Sequence, residues 1–350
     1  MNRLNHIRQF LAVLMALVLS TSCDSFVYEE EGDCTVFYRL KFRYDMNLKF
    51  ADAFANEVKT VRLFAFDTEG RLVWEGTGEG PALATGRYVM TLPLAPGKYR
   101  LVAWCGLGGE ESFSLPDASA TCRIEDLHCR LNGSAGTKAS PMSSDADLQP
   151  LFHGMTDVEL PADDDGGEYL YEMPLTKDTN VFRVVLQHLS GEDIDENDFD
   201  FTIEDDNAWL ACDNTLFKNQ AVTYRPWAKY SGEAGVAGSG NGITNVKVAV
   251  AELTTSRLFA RDWTKYRKPM LNIRVARGGD KGKLVASVPI IDYALMVMGK
   301  HHSQMDKQEY LDRADEYNMT FFLDKNYNWV SAQIQVLSWN VVVNRTDLSD

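Results

Sequence analysis

The chain has 350 residues, of which 45% are hydrophobic, and its formal net charge is −15. That length suits two domains of typical size, each large enough to bury its own core. No basic cluster offsets the acidic charge, which argues against binding to a nucleic-acid backbone, so we expect no nucleic-acid partner.

Residues 1–22 have the pattern of an export signal. Arg3 and Arg8 precede an apolar run at 10–19, and three small residues then lead to Cys23. Such a run, with a rise of ~1.5 Å per residue, is too short to cross a ~30 Å hydrocarbon core, so it predicts a signal peptide. The cysteine after small residues resembles the bacterial lipoprotein signal, in which Cys23 would become the mature N-terminus and carry acyl chains. An ordinary signal peptide cleaved near this point is the alternative.

Residues 23–33 form an acidic segment that includes Glu29, Glu30 and Glu31. A segment with so little apolar surface to bury is predicted to be a flexible tether between the membrane and the first domain. Early acidic residues of this kind resemble the signal that sends lipoproteins of Bacteroidetes to the outer face of the outer membrane. A plain solvated tether is the alternative.

Five cysteines remain once Cys23 is set aside: Cys34, Cys105, Cys122, Cys129 and Cys212. Their odd number leaves at least one free thiol in an oxidising compartment. Cys34 precedes one predicted strand and Cys105 ends another, so the two would be level if these strands were antiparallel neighbours. We therefore predict a Cys34–Cys105 disulfide and leave the other cysteines unassigned. The spacings match no zinc pattern, and no metal site is predicted.

Strand patterns dominate the first half of the chain. Residues Val36–Tyr44 alternate apolar and basic side chains, which predicts a strand with one buried face. A hairpin is predicted from Val61–Phe66 and Arg71–Trp74, with its turn at Asp67–Gly70.

A second hairpin is predicted from Tyr88–Leu94 and Lys98–Trp104, because Pro96 and Gly97 suit a type II turn. Residues 106–150 are rich in Gly, Ser, Ala and Asp and are predicted to form loops. We place the domain boundary near 174–177, which assigns 34–174 to an N-terminal domain and 175–350 to a C-terminal one. No Pro-rich linker separates them, so close packing of the domains is expected.

Strand patterns return in the second half at Val181–Gln187, Phe199–Glu204, Val222–Arg225, Val246–Leu253, Met270–Val275 and Lys283–Pro289. Helices are predicted at 291–298 and 303–317, the latter with Ser303 as its N-cap. Many short strands, hairpin turns and little helix predict an all-β chain of two antiparallel β-sandwiches in tandem.

The chain ends in one long predicted strand, Trp329–Val343. Its apolar positions run through Val330, Ala332, Ile334 and Val336 and then shift to 337, 339, 341 and 343. A phase slip of one residue indicates a β-bulge or a strand that changes sheets.

Several blocks, in the same order, resemble those of the FimB-type fimbrial anchor lipoproteins of Bacteroidetes. They cover nearly the whole mature chain: Phe42–Asn47, Ala51–Phe54, Leu63–Gly70, Pro96–Tyr99, Ala103–Leu107, Glu252–Leu258, Glu309–Arg313, Thr320–Asp324 and Ile334–Trp339. Arg257 and Arg313 lie inside two of these blocks, and the sequence assigns them no role.

The resemblance implies two transthyretin-like sandwiches, no enzymatic activity, no cofactor, and a place at the base of a fimbria on the outer membrane. Family members hold the filament and stop its growth. Polymerising fimbrillins of similar fold lose an N-terminal strand to cleavage after an arginine, and the C-terminal strand of the next subunit fills the groove. An anchor would keep its first strand, since Arg39 and Arg43 lie within Val36–Tyr44, where paired backbone shields them from a protease.

The C-terminal strand is the predicted contact with the last fimbrial subunit. An exposed strand edge is a template for pairing with another chain, and this strand lies close to the C-terminus. The residues assigned to it are Trp329, Ile334, Val336, Trp339, Val341 and Val343. Whether the strand is donated to the partner or stays within this chain is left open.

A metal site and a glycan-binding function are two other hypotheses that the sequence raises. His302, Asp306 and Glu309 have the spacing of ligands on one helix face, but a polar helix surface accounts for them. A glycan-binding surface lipoprotein of a polysaccharide-uptake system is the alternative function, and it needs a row of solvent-facing tryptophans. The seven tryptophans lie mostly within strand patterns, which favours the core.

Overall fold

The computed structural model describes residues 36–116, 123–134, 141–162, 166–237, 243–298, 304–336 and 339–344. The strands of the first half are β1 (Val36–Arg43), β2 (Thr60–Phe66), β3 (Leu72–Glu79), β4 (Met90–Thr91), β5 (Gly97–Cys105), β6 (Phe113–Ser114), β7 (His128–Leu131), β8 (Met142–Ser144), β9 (Phe152–Leu160), β10 (Gly167–Pro174) and β11 (Thr176–Lys177).

The strands of the second half are β12 (Thr179–His188), β13 (Phe199–Asp205), β14 (Trp209–Ala211), β15 (Val222–Tyr224), β16 (Ala228–Ala237), β17 (Ile243–Ser256), β18 (Met270–Val275), β19 (Leu284–Pro289), β20 (Glu316–Leu323), β21 (Trp329–Val336) and β22 (Trp339–Asn344). The α-helices in the described ranges are α1 (Phe54–Glu57), α2 (Ile290–Met296) and α3 (Lys307–Arg313). None of these helices is long and apolar enough to cross a membrane. The all-β prediction is confirmed.

The first sandwich packs two sheets face to face. One has five strands in the order β11-β9-β5-β2-β3, and the other has three in the order β10-β1-β4. Alternate residues of each strand point into the space between them, where Leu40, Leu63, Leu101 and Phe152 are fully buried. The period-2 pattern of Val36–Tyr44 thus marks a real buried face.

The second sandwich is larger. Its six-stranded sheet has the order β16-β17-β12-β20-β21-β22, and its five-stranded sheet has the order β19-β18-β13-β15-β8. Phe182, Leu253, Phe201 and Ile273 are fully buried in the core of this half.

The first predicted hairpin is confirmed and the second is wrong. β2 and β3 pair antiparallel around a turn in which Asp67 accepts hydrogen bonds from the backbone N–H groups of Glu69 and Arg71. β4, however, pairs with β1 in the three-stranded sheet, whereas β5 belongs to the five-stranded sheet. Pro93 and Pro96 remove backbone donors between them, so the chain crosses from one sheet to the other instead of folding back on itself.

Residues 106–150, predicted as loops, carry three short strands that reach into the second half of the fold. β7 pairs with β14, and β8 joins the second sandwich as the edge strand beside β15. The excursion begins at Gly106, where a Cβ would lie 1.9 Å from the carbonyl oxygen of Pro150. Not all of 34–174 therefore packs within the first sandwich, and the boundary near 174–177 stays a prediction.

The predicted helix at 303–317 is shorter than expected. α3 covers Lys307–Arg313, and Asp306 is its N-cap, because its carboxylate accepts from the Glu309 N–H at 2.7 Å. Ser303, the predicted cap, lies outside the described residues. From Glu316 onwards the chain is strand β20, which a central position between β12 and β21 holds in extended form.

Candidate functional site

The C-terminal hairpin forms one edge of the six-stranded sheet. β21 pairs antiparallel with β22, from Val336 opposite Trp339 to Ser331 opposite Asn344. The single long strand predicted at 329–343 is therefore wrong, because the chain reverses direction after Val336. Reversal through two residues shifts the apolar phase in the same way as a bulge does, which is why the sequence pattern was ambiguous.

The outer edge of β22 has no strand partner in the described part of the chain. A two-residue hairpin hydrogen-bonds the pair that flanks its turn, and inward and outward pairs then alternate along the ladder. The backbone N–H and C=O groups of Asn340, Val342 and Asn344 therefore point away from β21. They form a row of donors and acceptors that no described strand pairs with at the end of the sheet.

The six predicted partner-strand residues divide between two strands. Trp329, Ile334 and Val336 lie in β21, which is paired on both sides, by β20 and by β22. Trp329 is buried, and its ring packs edge-on against Phe321 with the centroids 5.7 Å apart. The other three, Trp339, Val341 and Val343, lie in β22. Only the second group belongs to the edge strand.

The first strand is paired along both of its edges. β1 runs parallel to β10 from Val36 opposite Gly167 to Arg43 opposite Pro174, and Leu40 pairs with Met90 of β4 on the other side. Next to that short bridge, the Leu92 N–H donates to the Tyr38 carbonyl at 2.8 Å. The position of β1 in its sheet is thus filled by the chain itself.

Arg39 and Arg43 lie inside this paired strand, as predicted. The Arg39 guanidinium is 3.2 Å from Glu168, and that of Arg43 is 3.2 Å from Glu172 and 2.8 Å from Asp45. These are half-exposed ion pairs that add little stability. The paired backbone around them is the feature that opposes cleavage.

Helix α3 holds the segment that follows β1. From α3, the Arg313 guanidinium donates to the carbonyls of Asp45 at 3.1 Å and Asn47 at 3.4 Å, and it lies 4.6 Å from the Phe50 ring. The Leu48 N–H donates back to the Arg313 carbonyl at 3.2 Å. The sequence assigned Arg313 no role, and the structure shows that it joins α3 to the segment that follows β1.

Lys177 forms a second link across this junction. Its side chain is only 12% exposed, and its Nζ lies 3.0 Å from Glu57 of α1 and 2.6 Å from Asp315. Burial alone would lower the pKa of Lys177, but these two carboxylates outweigh it and leave the pKa raised. Lys177 therefore stays charged and bridges the two domains beside a cavity of about 470 Å³ that Tyr44 and Arg313 also line.

Arg257 closes a buried polar network next to the chain segment that joins β11 to β12. Its guanidinium donates to both oxygens of Asp312, at 2.9 and 2.7 Å, and to the Asn214 carbonyl. Asp178, which is fully buried, lies 3.7 Å from Arg257 and accepts from the Asn214 side chain at 2.9 Å. Burial raises the pKa of Asp178 to about 7, although Arg257 and Asn214 oppose that shift.

His153 of β9 reaches from the first sandwich to the carbonyl of Cys212 at 2.8 Å. The side chain is buried against Trp104, with the ring centroids 4.7 Å apart. Burial lowers the pKa of His153 to about 4, and nearby Arg257 lowers it further while the Cys212 carbonyl acts the other way. His153 is therefore neutral at physiological pH.

The geometric reason for the Cys34–Cys105 pair is wrong. Cys105 ends β5 in the five-stranded sheet, opposite Phe152, whereas β1 lies in the three-stranded sheet. Cys105 is buried and free in the structure, and burial raises the pKa of its thiol. Cys34 and the lipidation candidate Cys23 lie outside the described residues. The disulfide stays an untested prediction without its structural premise.

Asp306 and Glu309, two of the three residues with ligand-like spacing, serve structural roles. Asp306 caps α3, and Glu309 lies 3.0 Å from Arg313 within the same helix. His302 lies outside the described residues. Within the described ranges, no group of three or more His, Cys, Asp or Glu side chains is arranged to hold a metal ion.

The comparisons with known proteins bear on this geometry. The family model of the fimbrillin-A associated anchor proteins Mfa1 and Mfa2 matches residues 30–345. The chain belongs to this family. No curated protein sequence matches it.

Solved structures share the fold over most of the chain. A candidate adhesin from Bacteroides thetaiotaomicron is 34% identical, with 89% of this chain and 99% of that chain covered and a TM-score of 0.75. A candidate polysaccharide-binding protein from the same species is 27% identical, with the same coverage and a TM-score of 0.70. The fimbrial anchor protein Mfa2 from Porphyromonas gingivalis is 16% identical, with 89% and 100% covered and a TM-score of 0.61, and it shows the same fold.

The sequence-based assignment to fimbrial anchor proteins is confirmed. Family membership makes the chain a fimbria-associated structural protein of the cell surface and not an enzyme. In this setting the described features that matter are strand edges and domain contacts: the filled position of β1, the open edge of β22, and the junction built by Arg313 and Lys177.

Proposed function

We propose that this chain holds a fimbria on the outer membrane and ends its elongation. Acyl chains on Cys23 would attach it to the membrane, and the tether at 23–33 would lead to the first sandwich. Fimbrial subunits are its partners. The family match and the lipoprotein-type signal support the anchoring role.

The single observation that supports a contact with the last subunit is the open edge of β22. A strand that pairs on one side only is a template for another strand, and pairing of this kind gives affinity through backbone hydrogen bonds. We infer that a strand of the subunit adds to this edge.

Termination follows from β1. A subunit that has lost its first strand presents a groove for the next one, whereas here β10 and β4 flank a strand that is in place. Cleavage within β1 would require its pairing to open first, because proteases bind substrates in extended, unpaired form. The anchor therefore presents the open edge of β22, while the position of β1, which is the groove in a subunit that has lost its first strand, is filled.

The contact is tested by a proline at an outward position of β22. In Val342→Pro the lost N–H is one that points away from β21, and edge strands tolerate such a proline. We expect fimbriae that detach from the cell while the lipoprotein remains in the membrane, as judged by immunoblots of washed cells and of the medium. Val342→Thr keeps the N–H and should keep the fimbriae attached.

A coarser version removes the residues after Ser338. The same detachment is expected, because that deletion removes β22 and leaves β21 as the edge. Stable protein with firmly attached fimbriae, in either the Val342→Pro variant or the deletion, would contradict strand addition at β22. Loss of the protein itself in the deletion would show that β22 is an integral strand, and Val342→Pro then decides the question.

The membrane attachment is tested separately by Cys23→Ala. Stable anchoring relies on acyl chains, so the variant should appear in the soluble fraction or the medium. Cys105→Ala is the matched control because it removes a buried cysteine and leaves the signal intact. A Cys23→Ala protein that still sediments with membranes would overturn the lipidation.

The alternative of a glycan-binding lipoprotein in an uptake system lacks the row of tryptophans that it needs. Trp104 and Trp329 are buried, and Trp227 is the exposed one among the tryptophans whose side chains are described. We therefore retain the anchor.

A further inference from the structure

An open groove on the second half of the fold is lined by aromatic and cationic side chains. It lies between the segment after β14 and the connection from β17 to β18. Its volume is about 500 Å³, and the residues that matter here are Phe217, Lys218, Asn219, Phe259, Arg261 and Tyr266. We call it the aromatic groove.

The groove continues into a cluster of three nearly parallel rings. His128 packs against Phe217 at 4.5 Å between centroids and against Trp209 at 5.3 Å, with interplanar angles of 7° and 11°. The Lys218 ammonium lies 4.9 Å from the Trp209 centroid and 5.2 Å from that of Phe217. Phe217 and Lys218 are thus shared by the groove and the ring cluster, which together form one surface.

The groove carries charges of both signs. The lining contains two cations, Lys218 and Arg261, and one carboxylate, Asp262. The Asp262 carboxylate accepts from the backbone and the hydroxyl of Thr264, so its own turn engages it. Because the Debye length is about 8 Å at physiological salt, the charges next to the groove, and not the net charge of the chain, set its potential. Asp206 and Asp205 lie beside Arg261, so Lys218 is the lining cation that has no carboxylate partner among the described residues.

Arg261 is a buried guanidinium with spare donors. Its side chain is 9% exposed, and its Nη2 pairs with Asp206 at 2.5 Å and lies 3.8 Å from the buried Asp205 carboxylate. Its Nε and Nη1 have no hydrogen-bond partner among the described residues. The guanidinium lies 5.5 Å from the Phe259 ring and 5.4 Å from the Tyr266 ring, which half cover it. Tyr266 is 43% exposed, so its ring can shift and give a ligand access to these donors.

We propose that the aromatic groove binds an acidic saccharide. The C–H faces of a sugar ring are apolar and pack on aromatic rings, while its hydroxyls need planar polar partners such as the Asn219 amide. The exposed Lys218 ammonium and the spare Arg261 donors match a carboxylate on that ring. This activity is additional to the anchoring role and uses a surface built from other strands than β22.

The test measures binding of galacturonan oligosaccharides to the mature protein by isothermal titration calorimetry. The wild-type protein should bind with a dissociation constant of about 1 mM or below. Two matched ligands separate the contributions: methyl-esterified galacturonan keeps the sugar and removes the charge, and hexaglutamate keeps the charge and removes the sugar. Both should bind at least about tenfold more weakly.

Two exposed side chains are removed in turn, so that the fold is not at risk. Lys218→Ala and Tyr266→Ala should each weaken galacturonan binding by about tenfold or more. The controls are Lys325→Ala, an exposed lysine in the turn between β20 and β21, and Trp227→Ala, whose ring is 41% exposed; neither residue lines the groove. Both controls should bind as the wild-type protein does.

Three results would overturn the proposal. They are the absence of saturable galacturonan binding at concentrations up to ten times about 1 mM, binding of hexaglutamate as tight as that of galacturonan, and unchanged galacturonan affinity in both groove variants. A second arm uses acidic capsular polysaccharide from the producing cells. Tighter binding of the capsule than of galacturonan assigns the groove to the cell's own envelope, and the reverse order assigns it to external glycans. Fimbrial attachment should be normal in Lys218→Ala, which keeps this test distinct from that of the anchor.

Discussion

The first and last described strands, β1 and β22, show similar apolar alternation in the sequence and opposite positions in the fold. β1 lies between two strands, and its Leu40 is fully buried between the sheets. β22 pairs with β21 alone. The comparison teaches that the place of a strand in its sheet, and not its side-chain pattern, decides whether it is available to another molecule.

The two strands also differ in how the rest of the molecule holds them. The chain that leaves β1 is bound by Arg313 of the second domain, through the carbonyls of Asp45 and Asn47. Among the described residues, only β21 pairs with the backbone of β22. An anchor needs both properties, since its membrane side must stay fixed and its filament side must accept a partner.

The largest difference should appear when β1 loses its core contacts. Leu40→Ala removes a fully buried side chain and should lower the free energy of unfolding by about 2–5 kcal/mol. Val342→Thr in β22 should change it by about 0.5 kcal/mol or less. Urea unfolding followed by tryptophan fluorescence measures both. Equal losses in the two variants would remove the contrast between the strands.

The next largest effect concerns pH at the domain junction. The pKa of His153 is about 4 in the folded protein and 6.5 when unfolded, so the folded state resists protonation. Its contribution to stability is complete above pH 6.5 and is lost as the pH falls towards 4, by up to about 3 kcal/mol. His153→Gln removes this loss, so the stability difference between wild type and variant should change over that range.

Titration of the Asp178 carboxyl changes the stability in the opposite direction with pH. The effect of His153 must therefore be measured against the His153→Gln variant. The pKa of Asp178 is raised to about 7, so its contribution is complete below its unfolded pKa and is lost as the pH rises through 7. The stability of the wild-type protein measured against pH combines the contributions of His153 and Asp178. A difference between wild type and His153→Gln that stays constant from pH 6.5 to 4 would contradict the role of His153.

Removal of the clamp on β1 should have an intermediate effect. Arg313→Ala leaves the Asp45 and Asn47 carbonyls without their charged donor and should cost about 1.5–3 kcal/mol. Arg277→Ala is the matched control, because Arg277 pairs with two carboxylates, Asp195 and Asp198, but is 53% exposed, so its loss should cost less than about 1 kcal/mol. Thermal unfolding of both variants tests the comparison, and a smaller effect for Arg313→Ala would refute the clamp.

The smallest effect is expected at β22. Val342→Pro should change the free energy of unfolding by less than about 1 kcal/mol, because the lost N–H faces no strand among the described residues. Val341→Pro removes a donor that faces β21 and should cost about 0.5–1.5 kcal/mol more. Hydrogen exchange of the β21 amides reports the difference. If Val342→Pro lowered the stability more than Val341→Pro, the backbone groups that point away from β21 would belong to Trp339, Val341 and Val343 instead.

Much of the local structure was predictable. The strand at Val36–Tyr44 and the hairpin around Asp67–Gly70 follow from side-chain alternation and from a turn that Asp67 stabilises through its own neighbours. The family assignment also came from sequence blocks. What failed was the pairing of strands: β4 was assigned to β5, and the hairpin of β21 and β22 was interpreted as one strand. In both cases two arrangements share one local pattern.

By itself, the sequence determined many of the strands, the turn at Asp67–Gly70 and the family of the chain, because these depend on residues a few positions apart or on blocks of sequence. Only the tertiary structure decided which strands share a sheet, that β22 is left at an edge, and that Arg313 and Arg257 close the domain junction. The Arg313 donor and its Asp45 acceptor are 268 positions apart, and Arg257 is 55 positions from Asp312. Contacts over such separations depend on how whole sheets pack, and no local pattern encodes them.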